Sequence, residues 1–175
     1  MLMAILFSGC DSIKESTKKH SPQDTAVYTD DQLVVKISYS RPYKKDRQIF
    51  GAADEDVLVP YGEIWRTGAN EATQITLNED IELGGKPLPA GTYSLYTIPG
   101  PEEWIIAINE KTDYWGKSLF GSPYDADLDV MRIVAPVFES QDEMEQFTID
   151  FTEDEQRSYI RFMWDHVTVM IPFRP

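Results

Sequence analysis

In the stretch SYIRFMWDHVTVMIPF, residues 158–173, apolar side chains recur at every second position. Ile160, Phe162 and Trp164 alternate with Arg161 and Met163, and Val167, Val169, Ile171 and Phe173 form a second alternating set. Successive side chains on an extended strand point to opposite faces, so each set lines one face of a strand. A helix would instead repeat its apolar positions every three or four residues. Asp165-His166, between the two sets, reads as a turn. The expectation is a terminal hairpin whose two strands pair and send Ile160, Phe162, Trp164, Val167, Val169 and Ile171 into the core, with His166 as a turn residue.

The same signal runs upstream. Short apolar or alternating runs at 33–39, 73–78, 81–83, 92–98, 104–109, 130–137 and 145–151 are separated by Gly, Pro, Asn and Asp. Gly84-Gly85 sits between two such runs, and a Gly-Gly pair takes the positive φ angles that tight hairpins require. Pro99-Gly100-Pro101 marks another turn. Helix is scarce, with a turn at 61–67 and segments at 113–119 and 141–144 as its candidates. About nine short strands joined by hairpins predict a mostly β fold, a two-layer antiparallel β-sandwich with little helix, or alternatively a barrel.

The chain has 175 residues, enough for one domain with its own core. It is 42% hydrophobic and 26% charged, the composition of a globular protein. Thirty acidic against 16 basic side chains give a formal net charge of −14. A nucleic-acid binder needs a basic stripe to displace counterions from phosphates, and the short basic groups here are Lys18-Lys19 and Lys44-Lys45. No nucleic-acid partner is expected, and no polybasic attachment to anionic lipid. The oligomeric state is not encoded in these features.

At the N-terminus an apolar run, MLMAILF, is followed by Ser8, Gly9 and the single cysteine, Cys10. Such an arrangement resembles the end of a bacterial lipoprotein signal peptide, in which the cysteine is lipidated and becomes the mature N-terminus. The alternative is an ordinary free thiol. No Lys or Arg precedes the run, and it is short for a secretory segment, as in a truncated signal peptide. Residues 1–9 are thus expected to be the signal, 10–31 a flexible polar tether, and 32–175 one β-sandwich domain. His20, within the tether, is expected to be solvated. The membrane would be reached through lipid on Cys10, placing the domain at a bacterial cell envelope.

The segment VPYGEIWRTGANEAT, residues 59–73, resembles the signature of a bacterial envelope family known as domain of unknown function 2911. Ser40-Arg41-Pro42 and Ile49-Phe50-Gly51 before it agree, as do GKPLPAGTYSL (85–95) and Trp115-Gly116 after it. The similarity runs from about Leu33 to the C-terminus. It implies an exported or lipid-anchored protein, and it carries no activity, cofactor or catalytic residue.

Within that segment the polar cluster Arg66, Thr67, Asn70 and Glu71 is the candidate ligand-binding site. Arg66 could clamp a carboxylate or phosphate through two parallel hydrogen bonds, with Thr67 and Asn70 orienting a hydroxyl or amide. Alternatively Arg66 pairs with Glu71, and Asn70 and Gly68 hold a tight loop through the backbone. Trp115, beside Gly116, is the aromatic most suited to stacking on a sugar ring or peptide side chain.

Other chemistry is poorly provided for. Asp125, Asp127 and Asp129 have the spacing that opens a calcium loop, yet Val130 stands where that loop needs Gly and Pro136 where it needs Glu. No metal site or cofactor is expected, because two histidines and one cysteine expected to carry lipid are too few for zinc. Gly-x-Ser-x-Gly, dinucleotide and phosphate-loop patterns are missing. Glu63 with Glu71 is the pair a carboxylate-dependent hydrolase would use. Three readings follow: an envelope module binding a small polar ligand, a glycan or another envelope protein; such a hydrolase; or a structural lipoprotein.

Overall fold

The computed structural model of the chain describes residues 18–112 and 124–175. Among them run β1 (Gln23–Asp30), β2 (Leu33–Ser40), β3 (Phe50–Gly51), β4 (Val59–Pro60), β5 (Thr73–Leu77), β6 (Ile81–Leu83), β7 (Lys86–Leu88), β8 (Gly91–Ile98), β9 (Glu103–Asn109), β10 (Asp129–Glu153) and β11 (Ser158–Arg174). A 3-10 turn, Ala126–Leu128, precedes β10. Nine strands form one antiparallel sheet in the order β1-β2-β5-β8-β9-β10-β11-β6-β7, and β3 and β4 form a separate parallel pair.

β10 is long enough to serve both layers of a sandwich-like fold. Its first part, residues 129–136, pairs with β9, and its remainder, from Val137, pairs with β11. The sheet therefore folds over along β10 and buries one face against itself. Val35, Ile37, Ile75, Leu95 and Ile106 meet Phe147, Ile149, Ile160, Phe162 and Ile171 in a single apolar cluster. At its centre the indoles of Trp65 and Trp164 stack at 5.8 Å, with Phe50 and Phe147 packed against Trp164. The outermost strands, β1 and β7, are not paired with each other, so the sheet is open and the barrel alternative does not hold.

The terminal segment departs from its sequence reading in one respect. Asp165-His166 is not a turn, since β11 runs unbroken from Ser158 to Arg174, pairing with β10 between Ser158 and Val169 and with β6 at Phe173 and Arg174 rather than with itself. Asp165 has φ +55° and sits at a bulge, across which the register slips. The left-handed conformation of Asp165 breaks the alternation there and keeps Ile160, Phe162 and Trp164 on the same buried side as Val169, Ile171 and Phe173. Val167 packs at the margin of that core. Lys44 Nζ holds the bulge, lying 2.7 Å from carboxylate oxygens of both Asp165 and Glu143.

Two further expectations are corrected. β1 lies within residues 10–31, expected to be a tether, and forms a full hairpin with β2, from Gln23 opposite Ser40 to Asp30 opposite Leu33. It is an edge strand that sends inward only Ala26 and Tyr28, which is why its sequence looks polar. Residues 141–144 are part of β10 and not helical, and the candidate helix at 113–119 lies outside the described residues. The Gly84-Gly85 hairpin is as expected. φ values of +58° and +79° make a two-residue turn between Leu83 and Lys86, a conformation open to glycine.

Candidate functional site

The core takes one face of the β5–β8–β9 layer, and the opposite face carries the polar chemistry. On β8, Leu95 enters the core, so Ser94 and Tyr96 point to the outer face, yet both are buried. On β9 the same alternation puts Ala107 and Asn109 outside, opposite Tyr96 and Ser94 respectively. Ala72, Tyr96 and Ala107 form a small second cluster, against which Ile64 and Tyr124 pack. Two alanines in such a layer leave room that larger side chains would fill.

The loop leading into β5 is fixed from several sides. Trp65 pairs with Thr97 of β8 through two backbone bonds, and its indole Nε1 donates to Gly68 O at 3.0 Å. Thr67 is fully buried with φ +55°, and Thr73 Oγ1 donates to its carbonyl at 2.6 Å. Its own hydroxyl donates to Thr97 Oγ1 at 3.1 Å. Asn70, at φ +59°, donates from Nδ2 to Ser21 O and Ser40 Oγ. A Cβ on Gly68 would stand 2.8 Å from Ser40 O, and its φ of +150° also requires glycine. Thr67 and Asn70 are thus committed to the loop's own hydrogen bonds.

Arg66 and Glu71 are not. No ion pair joins them; Glu71 Oε1 lies instead 3.9 Å from Lys18 Nζ. Glu71 Oε2, Arg66 Nε and Ser94 Oγ are buried and have no hydrogen-bond partner. Buried polar groups are nearly always satisfied, and each left open costs about 1–3 kcal/mol, more when charged. Burial holds the Arg66 guanidinium below its ordinary pKa, and Tyr96 is the neighbour that acts against this. The Trp65–Thr97 bridge places Arg66 and Tyr96 side by side on the outer face.

Glu71 faces a hollow of about 250 Å³ lined also by Asp24, Ser38, Ser40, Ala72 and Gln74. Strands β1, β2 and β5 and the loop before β5 supply these residues, so the edge strand that the sequence concealed completes one wall. Asp24 is engaged by Arg41 Nη1 at 2.9 Å and by the Thr25 amide. Glu63, by contrast, is exposed and does not line the hollow, so the two carboxylates of the hydrolase reading do not share it.

The other candidates fall elsewhere. Asp125 caps the 3-10 turn, while Asp129 accepts from Arg132 Nε at 2.7 Å, from Asn109 Nδ2 at 2.8 Å and from the Tyr124 hydroxyl. The three aspartates therefore do not converge, and among the described residues no three His, Cys, Asp or Glu side chains are placed to hold a metal ion. His166 is exposed, with Nδ1 3.0 Å from Ser140 O, and His20 is exposed. Cys10 and Trp115 lie outside the described residues. Ser94 and Tyr96 were not singled out by sequence; their one signal is that every position of the run Ser94-Leu95-Tyr96-Thr97 could be buried.

Fold and site together define a class, a sandwich-like antiparallel β domain with a polar hollow on the outer face of one layer. Within that class, the chain belongs to the family described as protein of unknown function (DUF2911), whose model matches residues 21–173 and so takes in β1. No curated protein and no solved structure matches the chain.

Proposed function

We propose that this protein is a non-enzymatic binding module for a small polar ligand, held at a bacterial cell envelope by lipid on Cys10. The observation that carries the binding reading is the polar hollow lined by Asp24, Ser38, Ser40, Glu71 and Gln74, next to a loop whose Arg66 Nε and Glu71 Oε2 are buried without a partner. The hollow is smaller than the roughly 300–1,000 Å³ of pockets for drug-sized molecules, which favours a single sugar or amino-acid unit. The envelope placement rests on the apolar run and small residues before Cys10. Among the described residues no helix is long and apolar enough to cross a membrane.

A thermal-shift screen of sugars, peptidoglycan fragments, amines and small carboxylates tests the binding reading. A ligand that stabilises the wild type and loses its effect in Arg66→Ala or Glu71→Gln supports it. No stabilisation by any of them removes it in favour of a structural lipoprotein. Mass spectrometry of protein from native membranes tests the anchor: a diacylglyceryl adduct on Cys10 is expected, and an unmodified chain that retains Met1 excludes it.

A further inference from the structure

We infer that Arg66, at the border of the hollow, anchors the ligand by a carboxylate. The inference rests on the binding reading above and names the chemical class of the ligand. Both carboxylates that line the hollow are already met, Glu71 by Lys18 and Asp24 by Arg41. The guanidinium of Arg66 is not. Its Nε is shut off from solvent and bonds to nothing. Its two terminal nitrogens, equally unbonded among the described residues, keep contact with solvent on a half-buried side chain. A ligand therefore meets Arg66 end-on, through Nη1 and Nη2.

The position is continuous with the hollow. Ala72 lines the hollow and packs on Tyr96, the residue beside Arg66 on the outer face. The backbone around Arg66 is fixed on both sides, by the two bonds between Trp65 and Thr97 and by Thr73 N, which donates to Arg66 O at 3.2 Å. Thr67, next in the chain, keeps a φ of +55°, which a β-branched residue rarely adopts, and bonds to Thr73 and Thr97 hold it there. Such strain persists where the surroundings over-determine it, and it concentrates at ligand clamps. A cation set in place this way has little freedom left to lose on binding.

Three classes of ligand group compete for it. A neutral hydroxyl or amide accepts from the terminal nitrogens but leaves the positive charge unmet. A phosphate monoester carries about −1.5 to −2 charge and three acceptor oxygens, more than one guanidinium meets, and no second Lys or Arg lines the hollow. A carboxylate carries one charge on two oxygens and accepts two parallel N–H bonds from a single guanidinium. The net charge of −14 opposes the approach of any anion. At physiological ionic strength, however, exposed charges are screened beyond about 8 Å, and no described carboxylate is among the groups that act on Arg66.

Acidic sugars and the carboxyl ends of amino acids or peptides share this chemistry, and calorimetric titration of the full chain with matched pairs separates them. Glucuronate is compared with glucose, and N-acetylalanine with its primary amide; inorganic phosphate is the competing anion. At least one carboxylate is expected to bind, at least about tenfold more tightly than its neutral twin. Arg66→Met is expected to weaken that binding by about tenfold or more and to erase the preference for the carboxylate. Arg66→Lys, which keeps the charge without the planar fork, is expected to fall between the two.

Equal binding of the neutral twin overturns the carboxylate assignment while leaving a binding module in place. Phosphate binding as tight as that of either carboxylate does the same. Carboxylate binding that is unchanged in Arg66→Met moves the anion away from Arg66 and overturns the inference. Absence of binding by every probe removes both this inference and the reading beneath it. The comparison within each pair is made on wild-type protein, so it decides the question even where Arg66→Met fails to fold.

Discussion

The hydroxyl of Tyr39 donates to the carbonyl of Ile149 at 3.0 Å and accepts from the amide of the same residue at 2.9 Å. Ile149 lies in the part of β10 that pairs with β11 on one side only. Its other edge is met by side chains and loops from the opposite layer. Tyr39 takes Ile149, Arg41 Nε donates to Phe147 O at 3.1 Å, and Phe147 N donates to Pro42 O. An open strand edge is a row of unpaired donors and acceptors, and one tyrosine closes it where the sheet folds over on itself.

Tyr39→Phe keeps the ring and its edge-on contact with Phe147 but leaves both backbone groups of Ile149 without a partner. The expected loss is about 1–3 kcal/mol in chemical denaturation. A change below about 0.5 kcal/mol, the level of an ordinary surface substitution, means that solvent reaches the edge and Tyr39 is not its closure.

Trp164 is 1% exposed and stacks on Trp65. Its removal leaves a void among Phe50, Trp65 and Phe147 rather than at a flexible margin. Trp164→Ala is expected to cost about 3–5 kcal/mol, the range for deleting a large buried aromatic. Because Trp65 anchors the loop of Arg66 and Glu71, the same variant should also disturb any ligand-induced stabilisation. A cost under about 1 kcal/mol in denaturant titration contradicts the central position of the indole.

Tyr124 gives a prediction at alkaline pH. Burial, together with its hydrogen bond to the Asp129 carboxylate, pushes its pKa from 10.0 to about 12. The folded state therefore keeps this proton where the unfolded chain releases it. Its contribution to stability is complete below pH about 10 and is lost as pH rises from there toward about 12. An ultraviolet difference titration of wild type against Tyr124→Phe should show the missing phenol ionising at higher pH than an unperturbed tyrosine. In the variant the decline of stability over that interval should be shallower. An unchanged decline places the Asp129 contact outside the folded state's energetics.

What could be read from the sequence follows from how far each signal reaches along the chain. The parity of Ile160, Phe162 and Trp164, and the Gly84-Gly85 turn, depend on neighbours a few residues away, and both are legible. Whether Asp165 starts a turn or a bulge depends on the distant partners Met144 and Lys44, so parity alone cannot decide it. β1 was hidden because an edge strand buries two side chains out of eight. In the site, Arg66 and Glu71 were recognisable as polar residues of one loop. That they fail to pair, and that strands β1 and β2 wall the hollow beside Glu71, arises from strands brought together across the sheet.

The last prediction separates a binding role for Arg66 from a structural one without knowledge of the ligand. A guanidinium that holds a loop donates to carbonyls or a carboxylate, and its truncation strands those acceptors at a cost of about 1–3 kcal/mol. Arg66 Nε donates to nothing and the side chain forms no ion pair, so truncation strands no partner. What is lost is the packing of its aliphatic stem, and what is gained is relief from holding a desolvated charge. Arg66→Ala is therefore expected to leave stability within about 0.5 kcal/mol of wild type or to raise it. Arg66→Met, which retains most of the stem, should be at least as stable as the alanine variant. A loss of about 1 kcal/mol or more in both variants, measured by denaturant titration without ligand, assigns Arg66 to the architecture of the loop.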